Sequence, residues 1–337
     1  MLVKQILKSL RKVTINHAMP VYNLNWFENT RFYKRILGDA TITLADVGAR
    51  NFSVEELKPL QRHINYIGFD ADSEEVKRLN LQKSLFKTSK FITSFVGVKG
   101  ESIKFGIHHI EGESSRFPFA EYYSNWFRGG KKNYIKKYIE LQSSSLDELT
   151  DDEDIDFIKL DTQGTEYEIL KNAKKCLKSS LMVECEVEFI EVYKGQNLAH
   201  DIFELMHKLG FELLYLNRIF GQSSHFAGNS RGQMIFADAL FGISRENALK
   251  LSLTKKVKYI ALLLNYGHID FAFDIYSNCK DLQEKTPFLK DYFVKKNKKN
   301  KISTIFKILI DKIIFVLLVL RKTNGIGTDS DRSWPIR

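Results

Sequence analysis

Leu44-Ala45-Asp46-Val47-Gly48-Ala49-Arg50 is an apolar run that closes on an acid and then turns on a glycine. The pattern returns at Ile67-Gly68-Phe69-Asp70 and at Phe157-Ile158-Lys159-Leu160-Asp161, which continues into Thr162-Gln163-Gly164. Strands of an open parallel sheet are covered on both faces and read as continuous apolar runs, and ligands sit in the crevice beyond their carboxyl ends. An acid there is placed to meet a ligand. Gly48 after Asp46 suits a tight strand-to-helix turn, because a residue without a side chain lets the backbone approach a ligand closely. Asp70, about two dozen residues further on, stands where such folds place the carboxylate that accepts both ribose hydroxyls. Together these positions point to a nucleoside-containing cofactor.

Outward from this stretch, strand and helix patterns alternate. Strands are expected at 41–47, 64–69, 91–98, 155–160, 181–189, 211–216 and 233–242, with an antiparallel extra at 101–108. Asp72-Ser73-Glu74-Glu75 opens a helix, 166–177 and 197–209 are amphipathic, and Gly210 stops the latter. Ser53-Val54-Glu55-Glu56 reads as a capping box. Segment 111–138 has little periodicity and reads as a long loop, which in a compact domain is functional or mobile. The fold class is therefore α/β, a doubly wound, mostly parallel seven-strand sheet with a helical C-terminal appendage. Four segments are expected: a helical preamble at 1–39, the cofactor-binding domain at 40–245, a helical appendage at 246–294 and a basic, amphipathic tail at 295–337.

The 337 residues are 44% hydrophobic, enough for one large packed domain plus an appendage. The formal charge of +10 is concentrated toward the ends, so it does not by itself imply nucleic acid. Cys176, Cys185 and Cys279 are too few and too scattered for a disulfide framework or a zinc site, which suggests the reducing cytoplasm. Residues 302–320 are apolar but carry Lys307, Asp311 and Lys312, which argues against a spanning helix. With the lysines from Lys295 to Lys301 they fit an amphipathic helix on the inner face of a membrane, a peripheral contact through 295–322. A helix docked on the protein's own core fits equally well.

Glu184, Glu186 and Glu188 alternate and so share one face of their strand, where three unpaired buried carboxylates would be costly. Glu186 and Glu188 are expected to face a polar cavity at the carboxyl end of the sheet. Ion pairs with nearby Lys or Arg are the plainer alternative. Asp161 is a candidate base or acceptor-orienting group, or else a helix cap. Arg116 and His225, both in loop segments, are candidate acceptor contacts. His108-His109 with Glu111 and Glu113 is not read as a metal site, since adjacent strand residues point to opposite faces.

Taken in order, the segments at 46–50, 68–72 and 157–166, then Val183 to Phe189 with Tyr193-Lys194-Gly195-Gln196, then Gly232-Gln233 with Asp238-Ala239-Leu240, resemble the FkbM-type methyltransferases over roughly 40–245. The resemblance implies a class I methyltransferase fold, S-adenosylmethionine (SAM) as cofactor and O-methylation of a hydroxyl on a sugar, glycan or small metabolite. It places Asp46, Gly48, Ala49 and Asn51 at the amino-acid end of the cofactor, Asp70 and Ala71 at the ribose, Val96 and Gly97 at the adenine, and Asp161 at the reacting end. Asn51 and Phe52 stand where the family usually has glycine; Asn tolerates positive φ, whereas Phe52 brings a large ring toward the pocket. Two other readings are a degenerate, non-catalytic domain acting at a membrane surface and an NAD-dependent oxidoreductase. The second lacks its G-x-G-x-x-G fingerprint.

Overall fold

The structure is a computed structural model that describes residues 29–50, 55–128, 130, 134–151, 153–226, 228, 232–297 and 328–330. Eleven strands are described: β1 (Ile42–Val47), β2 (Ile64–Asp70), β3 (Thr88–Thr93), β4 (Phe95–Val96), β5 (Ser102–His108), β6 (Ile135–Ser144), β7 (Phe157–Leu160), β8 (Met182–Glu188), β9 (Phe211–Gly221), β10 (Gln233–Ile243) and β11 (Thr328–Ser330). The main sheet runs β11-β9-β10-β8-β7-β1-β2-β3. From β3 through β8 every pair is parallel, and β10 is inserted antiparallel between β8 and β9. These seven strands form the expected doubly wound, mostly parallel sheet. The three residues of β11 add an edge to β9.

Packing explains the apolar runs. Ile42, Leu44, Ala45, Phe157 and Ile158 are completely buried because β1 and β7 lie at the centre of the sheet with layers on both sides. The helix Leu253–Tyr266 is apolar around most of its circumference, and Tyr259 to Leu263 are inaccessible, as expected of a helix sunk in a core. It ends at Gly267 in the left-handed conformation, a φ of 87° that glycine adopts without penalty. One continuous apolar cluster joins the sheet, the helix Asn29–Leu37 and the helices from 245 to 297. Packing thus runs unbroken across the expected boundaries at 39/40 and 245/246.

Several elements differ from expectation. The strand expected at 91–98 breaks after Thr93: the Ser94 N–H caps the Asp70 carbonyl at 3.0 Å, and Phe95–Val96 leaves to pair with Ser143 and Ser144 of β6. β6, which the sequence reading omitted, forms with β4 and β5 a separate three-stranded sheet. The helix expected at 166–177 is two helices, Glu166–Asn172 and Lys174–Ser179, joined at the buried Ala173. Beyond the capping box, whose Ser53 and Val54 lie outside the described residues, the chain forms a 3-10 helix, Glu55–His63. Also outside lie Asn51, Phe52, the preamble up to residue 28 and the amphipathic segment 302–320. Among the described residues no helix is long and apolar enough to cross a membrane.

Candidate active site

The ends of β2, β1 and β7 lie side by side, and Gly48 is what lets them meet. Its φ is +84°, and a Cβ built there would stand 2.0 Å from the Asp161 carbonyl oxygen, so no other residue fits this turn. The N–H groups of Gly48 and Ala49 both donate to the Phe69 carbonyl, and the Asp161 N–H donates to Val47 at 3.0 Å. Register places Asp46 beside Gly68 and Lys159, and Lys159 beside Glu184. With a side-chain period of two, Asp70, Gly48, Asp161 and Glu186 form the next row on the same face. Asp238 of β10 stands opposite Glu186 and extends this row.

Each acid has a distinct environment. Asp46 is buried; its Oδ2 accepts from the Tyr66 hydroxyl at 2.5 Å, and its Oδ1 has no hydrogen-bond partner. Burial raises its pKa against the pull of the Lys159 ammonium and the Tyr66 hydroxyl. Asp70 accepts from the Asp72 N–H through Oδ1 at 2.8 Å, and burial raises its carboxyl as well. Asp72 in turn caps the helix Ser73–Asn80 and pairs with Arg50, whose other arm reaches Glu111 at 2.7 Å. Ala71 packs against the apolar cluster of the small sheet. Val96 is buried in the main core, and the Gly97 N–H donates to Ser144 at 2.9 Å.

Beyond the ends of β7 and β8 the arrangement is a bridge. Gln163, at a φ of +59°, donates through Nε2 to Asp161 Oδ1 at 2.7 Å and to Glu186 Oε2 at 3.1 Å. The Tyr193 hydroxyl donates to Gln163 Oε1 at 2.7 Å and so fixes which way the amide points. Burial, then the nearby carboxylates of Asp161, Glu188, Glu166 and Asp238, push the half-buried Glu186 well above the usual carboxylate range. A carboxyl tuned upward in this way is suited to accept a proton near neutral pH.

Glu188 is buried, its Oε2 has no hydrogen-bond partner, and burial followed by Glu166 raises its pKa. Glu166 folds back onto its own loop, accepting from the Thr162 N–H and hydroxyl through Oε1 and from the Gly164 N–H through Oε2. Its role is to hold the 162–165 turn. Arg116 is committed to Glu101 and Glu168, at 3.0 and 2.8 Å, and so ties the small sheet to the helix Glu166–Asn172. That placement gives it a structural partner on each side. His225 lies apart from the acid row, stacked on Trp126 with centroids 5.4 Å apart. His108 is completely buried against Phe119, with both ring nitrogens unpartnered, while the neighbouring His109 stacks on Tyr134.

Sequence reasoning assigned no role to Gln163, Tyr193 or Lys159. All three fall inside motifs it quoted, but the meeting of Gln163 and Tyr193 depends on a positive-φ turn and on a contact spanning 30 residues.

A seven-strand sheet of this order, with acids gathered beyond its parallel ends, defines a class I methyltransferase. Residues 46–213 match the family model described as the methyltransferase FkbM domain. The chain belongs to the FkbM methyltransferase family, and SAM is the cofactor of that class. Similar solved structures include magnesium protoporphyrin IX methyltransferase from Synechocystis PCC 6803 with bound SAM, 11% identical over 65% of this chain and 80% of that one, TM-score 0.32. A TehB-like SAM-dependent methyltransferase from Corynebacterium glutamicum is 14% identical over 69% of this chain and 100% of that one, TM-score 0.29. A precorrin-6y C5,15-methyltransferase from Geobacter metallireducens is 12% identical over 64% and 89%, TM-score 0.32. No curated protein matches the chain.

Proposed function

We propose that the chain transfers a methyl group from SAM to a hydroxyl oxygen of a sugar, glycan or small metabolite. The observation that carries this reading is the buried, unpartnered Oδ1 of Asp46 beside a row of acids at the sheet's carboxyl end. SAM brings a sulfonium and an ammonium, and crowded carboxylates with raised pKa values are relieved by such a cation. Asp46, Gly48, Ala49 and Asn51 would hold the amino-acid end. Asp70 and Ala71 would hold the ribose, while Val96 and Gly97 would flank the adenine.

The bound cofactor supplies an electrophilic methyl and leaves as a neutral thioether. Glu186 takes the acceptor's hydroxyl proton as the carbon–oxygen bond forms, and Asp161, held to it through Gln163, orients that hydroxyl. Alignment of this kind is worth roughly 7–11 kcal/mol in well-oriented reactions, and a general base adds about 10²- to 10⁴-fold. The three free, buried cysteines support a reducing, cytoplasmic setting. The basic composition of 295–322 supports peripheral contact with the inner face of a membrane.

Calorimetric titration with SAM in buffers of different ionisation enthalpy tests the reading. Saturable binding with proton release is expected, because a cation lowers the raised carboxyl pKa values. Absence of heat and of thermal shift at millimolar SAM would remove its basis. Mass spectrometry of cell-envelope glycans with and without the chain would then identify an acceptor, through a gain of about 14 Da per methyl.

A further inference from the structure

A second concave site lies beyond the same ends of the parallel strands, where β9 turns into β10. It is a cavity of about 440 Å³ whose lining includes Trp126, Phe127, His225 and Phe226 with Ser223 and Gln233. That volume falls within the roughly 300–1,000 Å³ of small-ligand sites. Trp126 and Phe226 are 43% and 55% exposed, far more than rings buried for packing. Trp126 lies near-parallel to Tyr122, with centroids 6.2 Å apart, and to His225, 5.4 Å apart. Tyr122 donates to Gln233 Oε1 at 3.3 Å, which orients the Gln233 amide.

Hydrogen bonds tie the two segments of the site together. The Ser224 N–H donates to the Trp126 carbonyl at 2.8 Å, while Arg128 reaches back to the Ser223 and Phe226 carbonyls at 3.2 and 2.9 Å. Ser224 Oγ lies 3.2 Å from His225 Nδ1 and sets the ring's orientation. Among the described residues its lining holds no Asp, Glu, Lys or Arg. Exposed rings beside the Gln233 amide and the Ser223 hydroxyl suit a ligand that has both an apolar face and hydroxyls. A neutral sugar ring has both.

Position gives the proposal its second part. Gln233 stands five residues along β10 from Asp238, which faces Glu186, with one residue of that span taken up by an irregularity after Met234, so the cavity lies on the order of 13–17 Å from the acid row. Aromatic packing joins the two places: Phe127 contacts Tyr123, Tyr123 stacks on Phe119, and Phe119 stacks on Tyr193, whose hydroxyl holds Gln163.

We propose that this cavity is a distal subsite for a neutral oligosaccharide, gripping one ring of an extended acceptor while a hydroxyl several rings away lies at Glu186. For the chemistry at Glu186 the proposal rests on the methyltransferase reading; for binding it does not. The test is an array of neutral oligosaccharides, read for the full chain and for Trp126→Ala, alongside SAM titration of both. Expected are binding of glycans of three or more rings, loss of roughly tenfold or more in affinity on Trp126→Ala, and near-parental affinity for Trp126→Phe, with SAM binding unchanged. Absence of glycan binding, or binding indifferent to Trp126→Ala in a variant that melts like the parent, overturns the proposal. Glycan binding that depends on Trp126 in a chain that does not bind SAM would keep the subsite and sink the methyltransferase reading instead.

Discussion

β7 carries an aspartate at each end, and the fold treats the two in opposite ways. Asp156, just before the strand, is completely buried and fully answered: Lys255 and Lys258 each lie 2.7 Å from one of its oxygens, and the Thr43 N–H donates to it at 2.9 Å. Asp161, just after the strand, is exposed and faces other acids, with one neutral amide held between it and Glu186. A buried acid ringed by cations serves the fold, because the pair satisfies itself and presents nothing to a ligand. A row of acids that outnumbers the cations within reach, chiefly Lys159 and Arg50, holds an excess of negative charge that a positively charged ligand can relieve. The contrast separates stability from chemistry along a single strand.

The largest expected effect is at the paired end. Asp156→Ala leaves Lys255 and Lys258, 16% and 11% exposed, with the loss of their shared carboxylate. Breaking a buried ion pair from one side costs about 3–5 kcal/mol, which urea unfolding would read directly. SAM affinity of the folded fraction should stay near the parent's. A variant that unfolds normally but loses SAM would erase the distinction between the two ends.

At the other end the signs reverse. Asp161→Asn keeps an acceptor for the Gln163 amide on an exposed side chain, so stability should move by no more than about 0.5 kcal/mol. Turnover should fall by about 10²-fold or more, read as kcat in a methyl-transfer assay with an acceptor identified by mass spectrometry. A stability loss comparable to that of Asp156→Ala would show Asp161 to be a structural acid after all.

The same contrast explains what was legible in the sequence. Asp46, Gly48, Asp70 and Asp161 could be read because tight turns at the ends of buried strands depend on local residues: no side chain fits beside the Asp161 carbonyl, so glycine is written at 48. Asp156 falls inside the strand expected at 155–160 and has no role there in the sequence alone, since its lysines arrive from 99 and 102 residues away. β6 escaped because most of its residues are exposed or half-buried, which blurs the alternation that marks a strand. Gln163 and Tyr193 stood inside quoted motifs, yet only the folded turn at Gln163 reveals that one orients the other. The aromatic cavity left little trace, because Trp126 and His225 are 99 positions apart and belong to segments with no shared periodicity.

The smallest effect gives the finest test, since Glu188 lies on the acid row's face yet is buried like Asp156. Its carboxyl titrates higher folded than unfolded, first because of burial and then because of Glu166. Between the unfolded value, about 4.3 for Glu, and the raised folded value, the native state holds more protons than the unfolded state. Stability therefore falls as pH rises through that window. Glu188→Gln removes the ionisation and should be more stable than the parent at pH 7.5, by about 1 kcal/mol, with the gain vanishing near pH 4. Urea midpoints at the two pH values decide it. If the variant is instead less stable at pH 7.5, Glu188 acts as a second Asp156, and the division between a paired end and a charged, waiting end no longer holds at the strand beside β7.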